Sequence, residues 1–455
     1  MFKGRLRRSM TLLSVFALAL GMASTGLLTN SANAANSTPG VTAKSITIGA
    51  TVPLTGVAAS YAPVSAAANA VFTWVNAHGG VNGRKIHFIR LDDCYDLAAY
   101  GLGCTAGASV TTLSQTQVLV AQDHVFATVG SLGTAAQDSV RSYLKTNGVP
   151  QLFVNSGSID WNNAAKYPDL FGYQPSYVAE GKIFAKYIKA NDVGQTVGFI
   201  GQNDDFGTDG LLGLKDGGLN LLPANTLTYN AADAISGSSS DLVADIGTLQ
   251  KNNVQVVVLD AVPGFTNGFL QIAKAFGYSP KWIISSVGSD PSLVNNASEA
   301  AAITTDYFPE ITDNADPWVP WLRKVLRADK ADASYFPGLS ATSPMNGNEF
   351  YGAGWAVAFV EALKAEGKNV TRAGFVKSMF STKFATPAIT PLKYTKTNHQ
   401  GMLGGAIAII ASNGTKVPIK ALELSTNVFT TGQSKSSPIK VTSHFIIDPI
   451  PSWLK

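Results

Sequence analysis

Between residues 45 and 91 a short apolar run, a segment of helical spacing and a second short apolar run follow one another. That order constrains the fold more than any other feature. Residues 45–52 read as a buried strand. Val64, Ala67, Ala68, Val71, Phe72 and Val75 then recur at helical intervals, Gly79 and Gly80 stop the helix, Asn82-Gly83 turns the chain, and residues 85–91 supply the next strand. The alternation continues with helices near 109–122 and 134–146 and strands at 125–129 and 151–154. After an irregular stretch holding Trp161, Pro168 and Pro175 it resumes, with helices at 178–191, 210–220, 242–251 and 265–276 and strands at 196–200, near 226–229, 254–259 and 281–285. Such alternation predicts an α/β fold with parallel sheets covered on both faces, and two successive blocks predict two lobes. The last third adds helices near 318–327, 348–366 and 372–380, strand-like segments at 404–412 and 439–447, and a polar segment at 425–437 expected as a mobile loop.

Residues 1–34 read differently. Lys3, Arg5, Arg7 and Arg8 precede an apolar run at 12–28 and an Ala32-Asn33-Ala34 site, the pattern of a secretory signal peptide cleaved near Ala34. A membrane anchor is the alternative, but Gly21, Ser24, Thr25 and Gly26 interrupt the run; the residues after Arg7-Arg8 fit a twin-arginine signal poorly. Four of the 34 basic residues lie in this segment and none of the 30 acidic ones do, which leaves 30 against 30 in the remainder. The basic balance therefore belongs to the export signal, and no nucleic-acid partner or anionic membrane surface is expected. Cys94 and Cys104, the only cysteines, are expected to pair in an exporting compartment. No cysteine ends the signal segment to carry a lipid, so a soluble periplasmic or extracellular protein is expected.

Enzyme motifs are scarce. There is no G-x-S-x-G elbow, and His78, His87, His124, His399 and His444 have no metal-ligand spacing, so neither a metal nor a cofactor is expected. A scattered Ser/His/Asp triad stays open as an exported hydrolase reading. Gly101, Gly103 and Gly107 lie in the loop of the cysteines rather than at a strand-to-helix turn, and Asp92, Asp93 and Asp96 read as a strand-end turn before a cation site. A rim does recur. Ligands of open α/β sheets bind beyond the carboxyl ends of the strands, where this chain carries Tyr61, Ser131, Thr134, Trp161, Asp204, Phe206, Ala261 and Ser286. Ser131 and Thr134 stand where a strand enters a helix, a place suited to a carboxylate.

The residues Ile46 to Gly49, Pro53-Leu54-Thr55-Gly56, Tyr61, Trp74-Val75-Asn76-Ala77-His78-Gly79-Gly80-Val81-Asn82-Gly83, Gly148-Val149-Pro150, Gln174-Pro175-Ser176-Tyr177, Asn203-Asp204-Asp205-Phe206-Gly207 and Phe276-Gly277-Tyr278-Ser279-Pro280 occur in the order of a known family. Over about residues 41–395 the chain resembles type I periplasmic binding proteins of the branched-chain amino acid (Leu/Ile/Val) group. The resemblance implies two Rossmann-like lobes joined by a three-crossover hinge that close on a ligand, delivered to ABC permease subunits by a monomeric receptor. It implies lobe 1 from 41–173 and 289–385, lobe 2 from 174–288, and a segment 386–455 completing lobe 2 and the hinge. It matches Tyr61 to a first-loop tyrosine, residues 131–134 to the carboxylate-holding segment, Asn155, Ser156, Gly157 and Ser158 to a second polar loop, and Phe206 to a second-lobe aromatic. The ammonium acceptor stays open among Asp204, Asp205, Asp260 and Asp290. The Gly157-Ser158-Ile159 loop and Trp161 depart from the leucine-binding pattern, so amino acids, amides, aromatic acids and other small carboxylates all remain candidates. A receptor feeding a membrane signalling protein is the alternative to transport.

Overall fold

The first sheet contains β1 (Ser45–Val52), β2 (Lys85–Asp92), β3 (Thr128–Val129), β4 (Gln151–Val154) and β5 (Leu170–Gly172), all parallel, in the order β2-β1-β3-β4-β5. The computed structural model describes residues 38–56, 58–232, 239–290, 296–311, 313–343, 345–411, 416–418, 428–431, 439–442 and 448–455. The expected signal peptide and most of the polar segment 425–437 lie outside the described residues. Helices α1 (Ala62–Ala77), α2 (Thr112–Ala121) and α3 (Thr134–Thr146) connect the strands. The six α1 residues at helical spacing are all buried, so their periodicity is the face laid on the sheet. α2 begins later than its apolar pattern because Thr111 and Ser114 form a reciprocal capping box that fixes the start.

The chain then builds α4 (Tyr177–Asn191), β6 (Val197–Gln202), α5 (Asp205–Asp216), β7 (Thr226–Tyr229), α6 (Ser239–Lys251), β8 (Val256–Asp260), α7 (Pro263–Ala275), β9 (Lys281–Ile284), α8 (Asn296–Glu299) and β10 (Ile303–Asp306). The parallel order β7-β6-β8-β9-β10 repeats the winding of the first sheet. On β8, Val256 and Val258 pack with Phe184 and Ile183 of α4, while Val257 and Leu259 pack with Phe265 and Phe269 of α7. A strand buried on both faces in this way accounts for the unbroken apolar run seen in sequence.

From β10 the chain re-enters the first lobe as α9 (Trp318–Ala328), α10 (Gly347–Glu366), α11 (Arg372–Met379) and the hairpin of β11 (Leu392–Thr395) and β12 (Asn398–Met402). α10 is buried along most of its length; its Trp355 and Phe359 lie 6.0 and 5.9 Å from the Phe72 ring of α1. β13 (Gly404–Ile410) then joins β10 antiparallel, followed by β14 (Lys416–Pro418), β15 (Val428–Thr431) and β16 (Ile439–Thr442).

The described passages between lobes therefore fall after Gly172, after Asp306 and between Met402 and Gly404. The second passage comes later than residue 288 because β10 still pairs with β9 and β13. Residues 392–402 lie on the first lobe, where the His399 N–H donates to Asn162 Oδ1 at 2.7 Å and the Tyr394 hydroxyl to the Gly172 carbonyl at 2.7 Å. Cys94 and Cys104 form the expected disulfide. Among the described residues no helix is long and apolar enough to cross a membrane.

Candidate functional site

Both sheets reverse their winding next to their first strand, β1 against β3 and β6 against β8. A crevice opens at such a switch point, and here the two crevices face each other across a solvent-open cleft of about 1010 Å³. Chain ends of β1, β3 and β4 bring Tyr61, Gly133, Thr134 and Asn155 to one wall. The second lobe brings Tyr177, Phe206, Val262, Ser286 and Asp290, and the passage after β10 brings Tyr307 and Phe308.

Of the residues expected at the rim, Tyr61, Thr134, Asn155, Phe206 and Ser286 line the cleft. The others support them from behind. Ser131 Oγ faces away and accepts the Thr51 N–H at 3.1 Å; Thr134 Oγ1 and Ser156 Oγ share a hydrogen bond of 2.8 Å. Ser158 caps the turn Ile159–Asn162 through the Asp160 N–H, and Gly157 lies against the Tyr177 ring. Asp204 accepts the Phe206 N–H at 2.9 Å as the N-cap of α5. That cap starts the helix at Asp205, ahead of the expected 210, and sets Phe206 in the first turn, 4.4 Å from Tyr177. Ala261 is buried beside lining residue Val262. Trp161 does not reach the cleft: it is fully buried with Val154, Tyr167 and Leu170. Asp92 and Asp93 serve turns, accepting the Leu54 and Tyr95 N–H groups, and among the described residues no acid, histidine or cysteine cluster could hold a metal ion.

A family model described as periplasmic binding protein matches residues 45–415. The chain belongs to the periplasmic binding protein family. Solved structures share the fold at low identity. A branched-chain amino acid ABC transporter protein from Thermus thermophilus with bound valine is 18% identical with a TM-score of 0.69, over 86% of this chain and 97% of that one. A fatty acid ABC transporter substrate-binding protein from Thermomonospora curvata is 18% identical with a TM-score of 0.68, over 84% and 92%. A substrate-binding periplasmic protein from Ralstonia solanacearum is 18% identical with a TM-score of 0.66, over 81% and 99%. Among curated proteins no relative matches.

The cleft of this periplasmic binding protein is aromatic and acidic. Tyr61, Tyr95, Tyr177, Phe206, Tyr307, Phe308 and Tyr351 line it, with Asp290, Asp306 and Glu310 and, among the described residues, no lysine, arginine or histidine. Asp290 accepts the Gly347 N–H at 3.0 Å; Asp306 accepts those of Tyr307 and Phe308 at 2.8 and 3.2 Å. The Tyr61 hydroxyl is buried without a hydrogen-bond partner among the described residues, and that burial, with Tyr95 nearby, holds its pKa well above the usual tyrosine value. α3 starts at Gly133 with no side-chain cap, so its first-turn N–H groups are left for another acceptor. Sequence reasoning passed over Tyr95, Tyr177, Tyr307 and Tyr351. Tyr307 follows the carboxyl end of β10 and obeys the strand-end rule, whereas Tyr351 lies inside a helix and carries no sequence signal.

Proposed function

We propose that this periplasmic binding protein is the exported solute receptor of an ABC importer, trapping a small polar ligand between its lobes and delivering it to permease subunits in the membrane. The observation that carries this reading is the cleft, with the start of α3, which has no side-chain cap, on one wall and the carboxylates of Asp290, Asp306 and Glu310 in its lining. Free helix N–H groups favour a ligand carboxylate, and Asp290, Asp306 and Glu310 favour a positive group. A zwitterion with an apolar or aromatic body satisfies both, as the valine bound to the Thermus thermophilus protein does. A fatty acid, named for the Thermomonospora curvata protein, supplies no positive group. Tyr61, Thr134, Asn155, Phe206 and Ser286 touch the ligand, and Ser131, Ser156, Gly157, Ser158, Asp204 and Ala261 shape the wall behind them. Trp161 acts through the core alone. The receptor works as a monomer outside the cytoplasm after cleavage near Ala34, without cofactor and without catalysis.

A thermal-shift screen of amino acids, amides, amines and small aromatic acids tests this reading. A zwitterion is expected to raise the melting temperature with concentration, stabilising by about 2.7 kcal/mol at a hundred times its Kd. An absence of shifts across the panel together with turnover of ester or amide substrates would overturn the proposal.

A further inference from the structure

Ile159 stands on the first lobe and Asp209 on α5 of the second, and the Ile159 N–H donates to Asp209 Oδ2 at 2.9 Å. Gly347 opens α10 of the first lobe, and its N–H donates to Asp290 Oδ2 at 3.0 Å. Asp290 belongs to the second lobe. The segment that carries it begins at Ser285, whose N–H donates to the Leu259 carbonyl of β8 at 2.9 Å, and the neighbouring Ser289 hydroxyl shares a hydrogen bond of 2.8 Å with that of Thr304 on β10. Each bond therefore runs from a backbone N–H of the first lobe to a carboxylate of the second.

The two bonds are built alike. Ile159 is the first residue of the turn Ile159–Asn162 and Gly347 the first of α10, positions whose N–H groups have no acceptor within their own element. The local caps pass both donors over. Ser158 Oγ accepts the Asp160 N–H at 3.2 Å, and the capping box of α10 joins Asn346 to Glu349 at 3.0 and 3.1 Å. The second lobe supplies the acceptors instead, and a hydrogen bond to an ionised carboxylate is stronger than one between neutral groups. Glycine at 347 makes room for one of them, since a Cβ there would stand 3.2 Å from Asp290 Oδ2, closer than ordinary contact. At the other bond the Gly157 carbonyl accepts the Tyr177 N–H at 2.8 Å, which brings the turn up to the second lobe, and Asp160 is paired with Arg141 at 2.6 Å.

We propose that Asp209 and Asp290 are a latch that holds the two lobes closed, each capping the first turn of a first-lobe element from across the cleft. This deepens the solute-binding reading and rests on it for the role of the cleft. Asp209 is a positioning residue outside the cleft lining, whereas Asp290 and Gly347 both line the cleft, so a positive group of the solute placed on Asp290 meets one half of the latch. Separation of the lobes breaks both bonds together and returns two carboxylates and two N–H groups to water.

Hydrogen–deuterium exchange of the full chain, read at the amides of Ile159 and Gly347, tests the proposal without a ligand, so its outcome is independent of the thermal-shift screen. Asp209→Ala removes the acceptor of Ile159, and a cap of local effect would change that amide alone. A latch couples the two. Asp209→Ala is expected to speed exchange at Gly347 as well, and Asp290→Ala at Ile159, each about ten- to a hundredfold, the worth of one hydrogen bond to a charged group, with peptides of β1 and α1 unchanged. Asp209→Asn and Asp290→Asn keep an acceptor oxygen and are expected to have smaller effects at both amides. Wild-type exchange at the far amide in both alanine variants would overturn the proposal, and so would equal acceleration in every peptide, which marks lost stability rather than lost closure.

Discussion

Asp209 sits on α5 of the second lobe, 6% exposed, with the Ile159 N–H of the first lobe as a donor to its carboxylate. Burial, reinforced by Asp205 and Asp160 and opposed by the Ile159 hydrogen bond, pushes its pKa up to about 7. Asp260 faces it from β8, its own pKa raised by burial and by Glu180 and Asp209. A carboxyl raised in the fold binds a proton that the unfolded chain has released, so its contribution is fully present below about pH 4 and is lost as the pH rises to 7. Urea midpoints measured from pH 4 to 7 are expected to fall with pH, and Asp209→Asn, which keeps an acceptor for Ile159, is expected to flatten part of that slope. An unchanged slope would show that Asp209 does not hold the proton. Sequence marked Asp204 and Asp205 but not Asp209, because only the approach of a distant loop distinguishes one acid on a helix from another.

At the scale of elements, α4 and α5 pack backbone to backbone. A Cβ added to Gly181 would stand 2.4 Å from the Gly210 carbonyl oxygen, and one added to Gly210 would meet Asp260 Oδ2. Gly181→Ala therefore forces the helices apart and is expected to cost about 1–3 kcal/mol, read as a lower urea midpoint with the m-value unchanged. Most strands and helices of both lobes were legible from their apolar spacing, α1 most clearly, because a face laid on a sheet must repeat every turn; β5, inside a stretch read as irregular, and β10, β11 and β12 were not. Their starts were less so. The Asp204 cap moves α5 toward the N-terminus, and the Thr111 box moves α2 the other way; each is a side-chain hydrogen bond that periodicity does not register.

Across the whole molecule, the last residues return to the first lobe. The indole N–H groups of Trp74 and Trp321 donate to the Leu454 carbonyl at 3.1 and 3.2 Å, that of Trp318 to the Asp448 carbonyl at 2.7 Å, and the Leu454 side chain is fully buried. Deleting residues 448–455 is expected to lower stability on the order of 5 kcal/mol, from three indoles losing acceptors and one leucine its burial. Calorimetry would register it as a lower transition; an unchanged transition would mean that the tail only covers the surface.

The sequence by itself determined the α/β class, the two lobes, the cysteine pair and the strand ends at which Tyr61, Thr134, Asn155, Phe206 and Ser286 stand. Those features follow from local periodicity and from the rule that a parallel sheet opens at its carboxyl edge. Tertiary structure alone decided that Ser131 turns back to β1, that Trp161 joins the core, and that Tyr351 walls the cleft from within a helix. Direction into or away from a cleft depends on which distant segment packs behind each side chain. That packing comes from the passages between lobes, whose positions no spacing along the chain encodes.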